Sequence, residues 1–315
     1  MTEEFLRYIE SERRYSARTC AIYRGALEDF FGYVYPGADN LTDTQQKEAF
    51  SYGSVRGFIA MCMESGLSAR TVNLKLSALS SCCRWLVHQG VLASNPVNRI
   101  IRPKEHRRLP EFYTEASVGR FLDSKGLDGT GTASAQMSFH SYRNAMIILI
   151  LYVTGMRRSE VVSLRRGDFD YDRRVFTVLG KGDKMREIPV PASVCQEILL
   201  YLKRIKAEFP EAPEDGRFFL TDSGAPLYPE FVNEVVHKEL DGVEGFSGRK
   251  SPHVLRHSIA THLLDEGADL NSIKEILGHS SLAATQVYTH SSLEQLRNTY
   301  LTAHPRAKNG GNYED

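Results

Sequence analysis

The chain has 315 residues, and its 39 Lys and Arg balance its 39 Asp and Glu, so it carries no formal net charge at neutral pH. That length exceeds one ordinary compact core and points to two domains. The neutral total argues against indiscriminate electrostatic binding of nucleic acid, and an apolar fraction of 42% excludes the disordered and membrane-embedded classes.

The first residues, MTEEFLRYIESERR, contain no apolar run of signal-peptide type. The longest apolar run, AMIILILYV from Ala145 to Val153, is too short to cross a bilayer and reads as a buried helix. The cysteines at 20, 62, 82, 83 and 195 are odd in number and have no metal-ligand spacing. Reduced thiols in a cytoplasmic protein with no membrane association are expected.

Residues 1 to about 100 read as helices only. In YSARTCAIYRGALEDFFGYV (15–34), a helical stripe runs through Ile22, Ala26, Leu27, Phe30, Phe31 and Val34. Ser16 is placed to cap it, and Tyr35-Pro36-Gly37 stops it. Residues 53–64 form a shorter amphipathic segment closed by Ser65-Gly66. LSARTVNLKLSALSSCCRWLVHQG (67–90) opens on the same Ser-Ala-Arg-Thr as residues 16–19, either a duplicated helix pair or two like N-caps. Its expected buried face is Val72, Leu76, Leu79, Cys83, Leu86 and Val87.

Charge is unevenly spread. From Gly66 to Arg108 there are eight basic residues (Arg70, Lys75, Arg84, Arg99, Arg102, Lys104, Arg107, Arg108) against one acid, Glu105. This is either a solvated helix face with a basic linker or a patch for a phosphate backbone. On the second reading Arg70, Lys75, Arg102, Lys104, Arg107 and Arg108 contact DNA. NRIIRPKEHRRLP (98–110) has two prolines and no periodicity and reads as an interdomain linker. The expected division is a helical domain at 1–104, a linker at 105–112 and a second domain at 113–315.

The second domain is expected to be mainly α with one small antiparallel sheet. A helix runs from Glu115 to Asp123, the Gly-, Ser- and Thr-rich stretch 124–139 is a surface loop, and Tyr142–Val153 is the buried helix, ended by Thr154-Gly155. In 169–190 the period changes to two, with Val175, Thr177 and Leu179 alternating, a turn at GKGDK, and Met185, Glu187 and Pro189 alternating after it. A third strand is expected near Asp168–Tyr171. Helices resume at 159–164, 192–208, 229–240, 254–266, 270–277, 282–289 and 291–301.

Four places hold polar groups in apolar settings. Arg157, between the buried helix and the next one, needs a bound anion or an acid partner, and Glu160 follows three residues later. Lys181 stands at the hairpin tip, either solvated or, with Gly180 and Gly182 beside it, able to approach a ligand closely. His253 and Arg256 are three apart on a helix and so share a face. His279 and Tyr288 fall in LGHSSLAATQVYTH, where Ser280 or Ser281 would cap a new helix. A metal site at His253, His257 and His262 is disfavoured, because no HExxH is present and Arg256 would repel a cation. There is no Walker A loop, Rossmann fingerprint or GxSxG elbow, and no cofactor is expected. Cations gathered around a tyrosine suit metal-free phosphoryl transfer. The phenol is a weak nucleophile at its ordinary pKa near 10, and guanidinium forks match the charge that builds on a five-coordinate phosphorus.

Arg157 in TGMRRSEV, Lys181 in GKGDK, His253 and Arg256 in SPHVLRHSIATHLL, His279 in LGHSS, Tyr288 in TQVYTH and the HPRA at 304–307 resemble the tyrosine recombinases, or phage-integrase family, with Xer-like members nearest. The likeness spans most of 110–305, and residues 1–104 are similar to that family's helical core-binding domain. The resemblance implies a site-specific recombinase that attacks double-stranded DNA through Tyr288, forms a 3′-phosphotyrosyl link and releases a 5′-hydroxyl. It implies that Arg157 and Arg256 clamp the phosphate, Lys181 protonates the leaving oxygen, His253 assists proton transfer, His279 hydrogen-bonds the transition state and Glu160 orients Arg157. It further implies a clamp around the duplex and a tetramer on paired sites, formed with like subunits or a related recombinase. In that assembly the helix near Leu293–Leu301 packs on a neighbour. The process served would be DNA integration, inversion or dimer resolution. Arg158, where the family often has a small or apolar residue, and the length of 124–139 depart from the pattern. Two rivals remain: a type IB topoisomerase-like enzyme with the same chemistry but no strand exchange, and a DNA-binding assembly protein with an inactive site.

Overall fold

The computed structural model describes residues 1–38, 40–105, 111–127, 137–180, 184–246, 248–278 and 300–304. The chain divides into two compact units, Met1–Arg108 and Leu109–Asp315.

The first unit contains helices α1 (Thr2–Ser11), α2 (Ala17–Val34), α3 (Asp43–Ala49), α4 (Tyr52–Glu64) and α5 (Ala69–His88), followed by a 3-10 turn at Pro96–Arg99. The two Ser-Ala-Arg-Thr segments act as like caps. Ser16 Oγ accepts from Thr19 N and Ser68 Oγ from Thr71 N, each at 3.2 Å, an arrangement worth about 1 kcal/mol per helix. The core is built on Phe5, Leu27, Phe30, Phe58, Leu76, Leu79 and Leu86, with Phe50 stacked on Phe30 at 5.3 Å. Ile22 and Val87 were expected on the buried faces but stand at the rim, 38% and 36% exposed. Val87 follows Leu86, and one residue turns a helix by about 100°, so both cannot face the core squarely. The expected linker is also less free than its composition suggests. Asn73 Nδ2 donates to Pro103 O at 3.0 Å, and Arg102 donates to Asn73 O and Ser77 Oγ.

The second unit holds α6 (Glu115–Ser124), α7 (Phe139–Thr154), α8 (Arg158–Ser163), a 3-10 turn at Arg166–Asp168, β1 (Phe169–Asp170), β2 (Val175–Leu179), β3 (Met185–Pro189), α9 (Ala192–Glu208), α10 (Pro229–Leu240), α11 (Pro252–Asp265) and α12 (Leu270–Leu277). The strands form one antiparallel sheet in the order β1-β2-β3, with Val175 opposite Pro189 and Leu179 opposite Met185. The chain is therefore mainly α with one small sheet, as its periodicity indicates. The expected alternation named Val175, Thr177 and Leu179 as one face without choosing which face turns inward, and Val175 at the start of β2 is buried. Phe176, Val178 and Ile188 are buried, while Leu179 and Met185 are 54% and 61% exposed. Apolar residues occupy both faces of VFTVL, so alternation alone does not fix which face turns inward.

Helix α7 runs through the centre of this unit and is buried from Tyr142 to Thr154. Gly155 ends it in the left-handed conformation, φ +57°, and a Cβ there would collide with Leu277 and Ile259. That close approach brings the end of α7, α11 and the end of α12 together. Residues 300–303 are helical, with Tyr300 Oη donating to Val153 O and His304 fully buried. The described end of that segment packs on its own chain through Tyr300, Ala303 and His304. The rest of the helix expected at 291–301, the helix expected at 282–289, the expected caps Ser280 and Ser281, and most of the 124–139 stretch lie outside the described residues.

Candidate active site

The site forms where α8, β3, α11 and the C-terminus of α12 meet. Arg157 is the residue that opens α8. Its backbone N–H donates to Glu160 Oε2 at 2.7 Å and its Nη1 to Glu160 Oε1 at 2.8 Å. Its Nη2 donates to Gly278 O. The ion pair expected between Arg157 and Glu160 is therefore present. Glu160 is only 4% exposed, and a second guanidinium shares it. Arg186 on β3 donates from Nη1 to Oε1 at 2.9 Å and from Nη2 to Oε2 at 2.8 Å. Burial alone would raise the Glu160 carboxyl, but the hydrogen bonds and charge of Arg186, then those of Arg157, hold it below the usual carboxylate range.

Arg256 comes from the second turn of α11 and is 8% exposed. Its Nη1 donates to Gly155 O and its Nη2 to Leu277 O. Burial, and next the nearby charge of Arg157, push its pKa down to about 10. His253 stands three residues earlier on the same helix and is exposed. Desolvation lowers its pKa, as do the charges of Arg158, Arg256, Arg249 and Arg157, so the imidazole is neutral at neutral pH.

A helix end leaves its last carbonyls without intrahelical donors, and its dipole makes that end negative. At α12 the carbonyls of Ile276, Leu277 and Gly278 each receive one guanidinium: Arg186 Nε at 2.7 Å, Arg256 Nη2 and Arg157 Nη2 respectively. One carboxylate and one helix terminus thus hold three guanidiniums in a cluster. Several N–H groups of Arg157 and Arg256 are left over for a phosphate.

Arg157, Glu160, Arg256 and His253 are thus gathered in one place. Lys181, His279 and Tyr288 lie outside the described residues. Chain order sets His279 directly after Gly278, and Lys181 between the strands β2 and β3. His262 is no metal ligand, because its Nε2 donates to Tyr113 O at 2.8 Å and its Nδ1 accepts from Tyr152 Oη at 2.8 Å. His257 is exposed on α11. Sequence reasoning missed Arg186. The available signal was a cation two residues from Ile188, on the same face of a strand, but the alternation did not say which face turns inward.

The phage integrase family profile matches residues 120–295, and that of the phage integrase N-terminal SAM-like domain matches residues 2–90. The chain belongs to the phage integrase family. Tyrosine recombinases of this family cut and rejoin DNA strands, and this chain is such an enzyme. It is 36% identical over 307 residues to the tyrosine recombinase XerC of Bacillus pumilus, covering 96% of this chain and 95% of the relative. It is 32% identical to XerC of Chlorobaculum parvum, covering 97% and 94%. Among solved structures it is similar in fold to the Tn1549 transposon integrase in complex with transposon right end DNA (TM-score 0.65, 20% identity, 93% of this chain and 97% of that one). It is similarly related to the XerH recombinase bound to its difH substrate (TM-score 0.63, 21% identity, 94% and 83%).

The basic residues expected to meet DNA in this integrase-family chain differ in surroundings. Arg70 and Lys104 are exposed, Lys75 is paired with Asp29, Arg102 is held on α5 as described, and Arg107 and Arg108 lie outside the described residues. No helix among the described residues is long and apolar enough to cross a membrane.

Proposed function

We propose that this recombinase cleaves each strand at a specific site by attack of the Tyr288 phenol on a phosphodiester. The products are a 3′-phosphotyrosyl link and a free 5′-hydroxyl, and a second strand's 5′-hydroxyl then attacks that link. The observation that carries the reading is the guanidinium cluster, with Arg157 and Arg256 tied to one helix end and one buried carboxylate. Their remaining donors stabilise the charge that develops on the nonbridging oxygens. Glu160 orients Arg157. Lys181 gives a proton to the leaving oxygen, and His279 donates a hydrogen bond to a nonbridging oxygen of the five-coordinate phosphorus. No metal, cofactor or ATP is needed, because the bond energy is kept in the phosphotyrosine. Residues 1–104 and the segment 105–112 bind the duplex, with Arg70, Lys75, Arg102, Lys104, Arg107 and Arg108 on its phosphates, and 113–315 carries the chemistry. The working form is a cytoplasmic tetramer on two paired sites, composed of this chain alone or with a related recombinase.

Incubating the protein with nicked suicide duplexes carrying its site should yield a covalent adduct, and two intact sites should yield exchanged strands. Adducts with relaxation of supercoils but no exchange would favour the topoisomerase-like alternative. DNA binding with no adduct would favour an inactive assembly protein.

His253 adds a pH dependence. Its imidazole, neutral at neutral pH, is the form able to accept the Tyr288 proton. Its folded pKa lies below the ordinary 6.5, so activity should persist through neutral pH and fall only under more acidic conditions. A pH profile of kcat/KM should show an acidic limb below 6.5 that disappears in His253→Gln. An acidic limb unchanged in that variant would remove His253 from the proton path.

A further inference from the structure

We propose that Arg186 is a positioning residue for strand cleavage, holding the Arg157 guanidinium in register through Glu160 on one side and the end of α12 on the other. The inference rests on the reading of Arg157 and Arg256 as the phosphate clamp. Arg186 is not placed to meet DNA, since its side chain is only 10% exposed. All three of its nitrogens are engaged: Nη1 and Nη2 bridge both oxygens of Glu160, and Nε reaches Ile276 O.

These are the same two bodies that hold Arg157, which donates to Glu160 Oε1 and to Gly278 O. Arg186 therefore sets the distance between the two anchors of Arg157. Gly278, at φ +68°, lets α12 end against Arg186, because a Cβ there would lie 3.3 Å from Arg186 Cδ, Nε and Nη1. His279 follows Gly278, so the same contact fixes where the chain leaves α12 toward the segment that carries Tyr288. Arg186 also belongs to β3, the strand after Lys181. It is thus tied by hydrogen bonds to Glu160 and the end of α12, and by chain order to Lys181.

Only a planar fork makes these three bonds at once. A lysine in its place keeps the charge but offers a single nitrogen. Displacing a catalytic group by about an ångström can cost on the order of a hundredfold in rate. The expected signature is therefore a split between binding and chemistry.

In single-turnover cleavage of a suicide substrate at saturating full-length protein, Arg186→Lys should lower the cleavage rate by roughly tenfold or more. Its affinity for the duplex and its thermal midpoint should stay near those of the parent. Arg186→Gln combined with Glu160→Gln leaves no unpaired buried carboxylate and serves if the lysine variant does not fold. Because Arg186 acts in part through Glu160, the pair should lose clearly less than the product of the two single losses. An active parent with an unaffected Arg186→Lys, or a double variant whose losses multiply, overturns the positioning role. A parent that forms no adduct overturns the cleavage reading itself.

Discussion

Tyr288→Phe should abolish covalent protein–DNA adducts on a nicked suicide substrate and leave binding of the duplex intact. The chain has fifteen tyrosines, so the result depends on whether another phenol can take over. The buried ones of the second unit are poor substitutes. Tyr113 donates to Arg249 O at 2.9 Å, and burial pushes its pKa up to about 12. Tyr142 donates to the Glu197 carbonyl, Tyr152 to His262, and Tyr300 to Val153 O. Each would have to break a hydrogen bond and ionise away from water. Tyr171 and Tyr228 are exposed, at 44% and 49%, but neither belongs to the elements that carry the arginine cluster. Removing the Tyr288 hydroxyl takes away the proposed nucleophile at the cost of one oxygen atom, so affinity should survive while chemistry stops. Adducts that persist in Tyr288→Phe, mapped by peptide sequencing to another tyrosine, would refute the assignment.

The helices of both units were legible because their ends are chemically marked. Ser16, Ser51, Ser68, Thr114, Ser138 and Asp269 each accept from a backbone N–H in the first turn, and Gly155 and Gly278 close α7 and α12 in the left-handed conformation. Helix α3 shows the same logic where the stripe was too short to notice. Its Thr42 and Gln45 form a reciprocal capping box, a spacing visible in the sequence. The hairpin was legible as a hairpin, but its phase was not, since both faces of VFTVL are apolar. That single ambiguity hid Arg186, which becomes an inward-facing cation only once Ile188 is known to point to the core. The sharing of Glu160 by two arginines, and the capping of three successive carbonyls by three guanidiniums, are tertiary facts. They join residues separated by up to 121 positions, Arg157 and Gly278 being the extreme, and no local pattern encodes them. The shared face of His253 and Arg256 did follow from their spacing. Their different depths, one exposed and one buried, came from the packing of α11 against α7.

Arg256→Lys should lose about a hundredfold to a thousandfold in cleavage rate, the usual cost of one preorganised oxyanion donor, and should gain an alkaline decline that its guanidinium does not cause in the parent. Two effects combine. The Arg256 fork spans Gly155 O and Leu277 O, and one ammonium cannot hold both carbonyls and also aim a donor pair at a phosphate. The second effect is electrostatic. Burial, then the neighbouring charge of Arg157, brings even this guanidinium down to about 10. The same surroundings acting on an ammonium, whose ordinary value is about 10.4, produce a base that loses its proton in a mildly alkaline range. A cation with a depressed pKa is charged below that pKa and neutral above it, so residual cleavage by Arg256→Lys should decline on the alkaline side of neutrality. The parent guanidinium keeps its charge there. Single-turnover rates from about pH 6 to about pH 9 at saturating DNA, compared for parent and variant, check both effects. A variant rate near that of the parent would remove Arg256 from the clamp. A large loss with no alkaline decline would leave the geometric argument standing and discard the electrostatic one.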